Sequence, residues 1–94
     1  MGQLSNALAK GLKPFHRQAT ATIVAVEYAL GKGAKAIKLV NRGTKGLLYS
    51  IDGGTLFHLV QPKDVLDEAF ECTTIQLKSV STTTAFDLHA ALTQ

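Results

Sequence analysis

The chain has no tryptophan, one cysteine and only two prolines in 94 residues. A lone Cys72 excludes an internal disulfide, which fits a reducing compartment or a particle assembled in one. So few prolines, with 46% hydrophobic and 18% charged residues, exclude wholesale disorder. No apolar run approaches the roughly 18 residues of a membrane-spanning helix, so no membrane partner is expected. The opening "MGQLSNALAKGLKPF" lacks the apolar core of a secretory signal. Asn6 also stands where an N-myristoylation start requires Ser or Thr. At this length one domain at most is expected, and a small one buries a modest fraction of its surface.

Acidic residues are scarce in the first half. Residues 1–47 carry eight basic side chains against Glu27 alone, whereas residues 48–94 carry two against six acidic ones. If that segregation persists in space, a basic face on one copy can meet the acidic face of another, or meet nucleic acid.

Catalytic and metal-binding patterns are also missing. His16, His58 and His89 are scattered. Asp87 and His89, two apart on a strand, share a face, but no nucleophile signature surrounds Cys72. One Cys and dispersed His residues lack the close ligand pairs of zinc sites. Asp64, Asp67, Glu68 and Glu71 do not match a calcium loop, and neither "GKGAK" nor "RGTKG" has Walker spacing. No enzyme activity, metal or cofactor is therefore expected.

What is present is alternation. Leu4, Leu8 and Leu12 first form a helical stripe over residues 3–13, weakened by Gly11 and ended by Pro14, with Ser5 as a possible cap. "PFHRQ" reads as a connector. From Ala19 the period changes to two: "ATATIVAVEYAL" reads as a strand broken by "GKG" at 31–33, and "AKAIKLVN" as the next. A turn at "NRGTKG" uses Asn41 and Gly43. "LLYSI" and "TLFHLV" then flank Asp52-Gly53-Gly54, a strong hairpin signal. "VLDEAF" fits a strand or a helical turn equally. "TTIQLKSVS" and "TTAFDLHAALT" alternate cleanly, with Thr84, Phe86, Leu88 and Ala90 inward. The expectation is an all-β antiparallel sandwich or small barrel of six to seven strands (18–94) behind a short helical, basic N-terminal arm (1–17).

The arm's leucines, Leu4, Leu8 and Leu12, and the basic Lys10, Lys13, Arg17, Lys32, Lys35, Arg42 and Lys45 are the candidate interaction residues. Phe15, beside His16 and Arg17, is the one candidate for an exposed stacking aromatic. Single-stranded nucleic acid binders interleave basic and aromatic residues. Here the other aromatics fall at core-like positions, so nucleic acid is possible but not favoured.

The run "AIKLVNRGTKGLLYSIDGGTLFHLVQP", followed by "TTIQLKSVSTTTAFDLHA", resembles small β-sandwich virion proteins of tailed bacteriophages. In these an "N-x-G … Y-x-x-D-G-G-T-x-F" hairpin precedes a late "I-x-L-K-S" strand. The resemblance covers about residues 36–90. It implies a non-enzymatic structural subunit, made in the bacterial cytoplasm and carried on the virion, for capsid decoration or at the head-to-tail or tail junction. Its partners would be further copies of itself and other virion proteins. The alternative from the residues alone is a stand-alone module binding single-stranded nucleic acid or carbohydrate through its loops.

Overall fold

Strand alternation dictates the architecture most plainly at the C-terminus. In the last strand Thr84, Phe86, Leu88 and Ala90 are buried, while Asp87 and His89 turn outward and are half-buried. The computed structural model describes residues 2–94. Helix α1 (Gln3–Ala9) precedes β1 (Lys13–Ala21), β2 (Val26–Asn41), β3 (Leu47–Ser50), β4 (His58–Val60), β5 (Val65–Glu68), β6 (Cys72–Ser79) and β7 (Thr84–Leu92). The fold is all-β and antiparallel, with seven strands and one short N-terminal helix.

Strand β2 joins two halves of the sheet. Its first part, Val26–Ala29, pairs with β6, and a register irregularity follows between Ala29 and Ala34. Its second part then pairs with β7 on one side and β5 on the other. Positive φ at Gly31 and Gly33 marks this bend, as expected for glycine at a bulge. One layer is therefore β1-β7-β2-β5 and the other β2-β6-β3-β4. Their inner faces meet over Phe86, Leu88, Ile37, Leu39, Ile75, Leu77, Leu30 and Leu47, all essentially inaccessible to water. Tyr28 packs edge-on against Phe86 across the gap, ring centroids 6.0 Å apart, a favoured aromatic geometry.

Several local expectations need correction. "PFHRQ" is not a connector but part of β1, paired from Lys13 opposite Leu92 to Arg17 opposite Leu88. "ATATIVAVEYAL" is not one strand: residues 22–25 separate β1 from β2, and there the Val24 amide donates to the Thr22 hydroxyl at 3.2 Å. The "GKG" glycines bend β2 without ending it. Ser5 does not cap α1. Asp67 does so from β5, accepting the Leu4 amide at 2.9 Å.

The hairpin is longer than a two-residue turn. Pairing stops at Tyr49 opposite His58, and residues 51–57 form a loop organised by Ser50 and Asp52. The Ser50 hydroxyl donates to Asp52 Oδ1 at 2.6 Å, and the Leu56 amide donates to the same oxygen at 3.1 Å. These bonds, the Ser50 hydroxyl first, hold the Asp52 carboxyl below its ordinary pKa. Gly53 sits at φ +76°, with open space where a Cβ would go. Gly53→Val is thus penalised by backbone strain alone, about 1–2 kcal/mol. Thermal unfolding checks this: an unchanged melting temperature would rule out the left-handed turn.

Candidate functional site

Helix α1 folds back on its own chain. Leu4 packs with Ala36 of β2 and Ala91 of β7, and Ala7, Leu8 and Leu12 close around them. The small side chains of Ala36 and Ala91 let a helix of only seven residues approach the sheet, and this packing supplies burial that so short a helix lacks in water. The leucine stripe therefore faces its own sheet, with Leu4 buried and Leu8 and Leu12 half-buried.

Between α1 and the edge of β2 lies a cleft of about 410 Å³. Its apolar lining comes from Ala7, Leu12, Ala36 and Ala69, and its charged groups are Lys10, Lys35 and Glu71. A smaller recess of about 250 Å³ adjoins it, shares Lys35 and Glu71, and adds Lys32, Cys72 and Thr93. Lys35 Nζ meets Glu71 Oε1 at 2.6 Å, with side chains 50% and 70% exposed. Such a pair contributes little to stability, and its hydrogen bond and charge keep the Glu71 carboxyl below its usual pKa. Burial pushes the Cys72 thiol up, which disfavours the thiolate a nucleophile needs.

The same outer face carries a second cluster two residues along β7 from Ala91. Register places His16 of β1 opposite His89 of β7, and Gln18 opposite Asp87. The two imidazoles stack, centroids 4.3 Å apart and planes 4° from parallel. One ligating atom from each of His16, Asp87 and His89 lies within 4.8 Å of the others. Burial, then the charges of His16 and Lys38, lower the His89 pKa against the opposing pull of Asp87. The dispersed histidines of the sequence are thus two-thirds gathered.

At the far edge of the sandwich, Tyr49 lies 5.2 Å from His58 and 6.0 Å from Phe70, ring to ring. Burial, followed by the charge of Glu68, raises the Tyr49 pKa. The barrel interior itself is apolar. Its buried polar residues are Asn41, Ser50, Ser79 and Thr84, so no metal-ligating set lines it among the described residues.

The remaining candidate residues are dispersed. Phe15 packs against the core from the inner face and is not an exposed stacker. Arg17 lies 5.5 Å over the Tyr28 ring. Lys13 and Lys45 are exposed, and Arg42 bonds Asp87 at 3.3 Å. The Lys35–Glu71 and Arg42–Asp87 pairs join the basic first half of the sequence to its acidic second half within one molecule. Asn41, Gly43, Asp52, Gly53 and Gly54 all serve turns, with Asn41 fully buried.

No protein-family model matches this chain, and no curated protein does so at a significant level. Solved structures do match. A cupin-2 domain of an XRE-family transcriptional regulator from Enterobacter cloacae superposes with a TM-score of 0.60 at 20% identity, over 90% of this chain and 87% of that one. A cupin-2 domain protein from Shewanella frigidimarina gives 0.56 at 4% identity, over 83% and 70%. An HTH_3-family transcriptional regulator from Vibrio cholerae gives 0.56 at 11%, over 93% of this chain but 46% of that one.

These neighbours overturn the bacteriophage resemblance, and with it the virion subunit, the capsid or tail role and the virion location. The hairpin pattern that carried the resemblance is shared by antiparallel folds of many kinds. At these identities the likeness concerns architecture alone. The chain has the antiparallel β-barrel fold of the cupin-2 domains.

Proposed function

We propose that this chain is a non-enzymatic binding domain of cupin fold, whose ligand is a small organic anion held between α1 and β2. The observation that carries this reading is the cleft of about 410 Å³, apolar in its floor and bearing Lys10 and Lys35. Its volume suits a small molecule, since ligand clefts run from about 300 to 1,000 Å³. An apolar body would rest on Ala7, Leu12, Ala36 and Ala69, with the carboxylate taking the place of Glu71 beside Lys35. That exchange costs little, because the Lys35–Glu71 pair is solvent-exposed. Occupancy would alter the seat of α1, which is anchored by one buried leucine and the Asp67 cap. Such a movable element is what a regulatory domain requires. The transcriptional regulators among the structural neighbours support this setting.

Titration of a panel of short aliphatic and aromatic carboxylates, followed by amide NMR shifts, tests the reading. Resonances of Ala7, Ala36 and Ala69 should move together. Lys35→Ala should weaken binding by about tenfold or more, the worth of one charged hydrogen bond. A panel that leaves those three residues unperturbed at millimolar concentration would refute it.

A further inference from the structure

Beyond the cleft, we propose a second site: a divalent transition-metal site on the outer face of the β1–β7 ladder, made by His16, His89 and Asp87. It stands independently of the cleft reading. Three observations carry it. Antiparallel register sets His16 directly opposite His89. Asp87 lies two residues before His89 on the same face of the same strand. One ligating atom from each of the three lies within 4.8 Å of the others.

Zinc bonds to imidazole nitrogen and carboxylate oxygen are about 2.0–2.2 Å long, so ligand atoms around a tetrahedral ion stand roughly 3.3 Å apart. The three ligand atoms already lie within 4.8 Å of one another, and side-chain rotation that tilts the two imidazoles out of their parallel stack would draw them together. The backbone is already fixed by strand pairing. Two nitrogens and one oxygen form the donor set of zinc, nickel or copper, whereas magnesium and calcium take oxygen ligands. Three protein ligands on an accessible face leave a fourth position for water or an exogenous group.

The surroundings define the competition. Lys38 of β2 is the cross-strand neighbour of His89, and its charge favours a neutral imidazole while opposing an incoming cation. Arg42 holds Asp87 at 3.3 Å, longer than a strong charge-assisted bond of about 2.7–2.9 Å. A metal would displace it. Arg42 is thus the resident cation of the site, and removing it should favour the metal.

The experiment is calorimetric titration of the purified full chain with zinc chloride, with magnesium chloride in parallel. One zinc per chain is expected, and no magnesium binding. His16→Ala and His89→Ala should each weaken zinc binding by about tenfold or more, and Asp87→Asn by less. Arg42→Ala should tighten it, an effect that adventitious binding to Cys72 or His58 does not predict. Circular dichroism of each variant confirms folding, which these outward side chains do not govern. Absent zinc uptake, equal response to magnesium, or wild-type affinity in a His16→Ala/His89→Ala double variant would each overturn the proposal.

Discussion

Phe86→Ala is expected to cost about 3–5 kcal/mol, the usual loss for a fully buried phenylalanine. Phe86 is completely inaccessible and faces Tyr28 from the opposite layer. On its own layer it lies between Ala19 of β1 and Asn41 of β2. Small or polar neighbours on both flanks cannot expand to refill the space. A domain of this size has a total stability on the order of 5–15 kcal/mol, so the loss is a large share of it. At roughly 4–8 °C per kcal/mol, Tm should fall by more than about 10 °C. Urea unfolding supplies the measurement. A loss below about 1 kcal/mol would mean that the two layers do not meet at this ring.

The second large effect is expected at Asn41, which fastens four segments with one side chain. Its Nδ2 donates to the Lys45 carbonyl at 2.7 Å and the Val60 carbonyl at 3.0 Å. Its Oδ1 accepts the Gly43 amide at 3.1 Å and the Thr84 hydroxyl at 2.8 Å. All four hydrogen-bonding positions of the amide are used, inside a residue that is 0% exposed. Asn41→Ala removes the partner of the Gly43 amide and one partner each of the Lys45 and Val60 carbonyls and the Thr84 hydroxyl. Each buried unsatisfied group costs about 1–3 kcal/mol, so a total of about 2–4 kcal/mol is expected. Thr84→Val should cost less, because it removes one hydroxyl whose other contact is the Lys45 carbonyl at 3.1 Å. Equal losses for Thr84→Val and Asn41→Ala in denaturant titrations would contradict this ranking. Gly43 belongs to the same knot, because a side chain there would run into Thr84.

Alternation made β6, β7 and the second part of β2 legible, since each has one face against the core. Strand β1 was hidden because it is an edge strand with a largely exposed burial pattern, so its sequence imitates a polar connector. The glycines at 31 and 33 read as a break because a bulge and a turn draw on the same positive φ. For the cleft, Lys10 and Lys35 stood out by charge, but their convergence depends on α1 folding onto its own sheet. The sequence leaves that choice open between this chain and a neighbour. The nearness of His16 to His89 follows only from β1–β7 register, a pairing between the two ends of the chain. No local spacing rule reaches that far.

The pairing of β2 also bears on how the chain is made. Its partners, β5, β6 and β7, all follow it at a distance, and β1 pairs with β7 alone. During synthesis, at about 5–20 residues per second, β2 leaves the ribosome before any of the strands it pairs with. Its second part, Ile37 and Leu39 among it, meets its first partner only when β5 is added, and its pairing is complete only once the residues around Leu88 have followed. Folding is therefore a late event in the life of this polypeptide, and a ribosome stalled before β7 would hold an unclosed sheet.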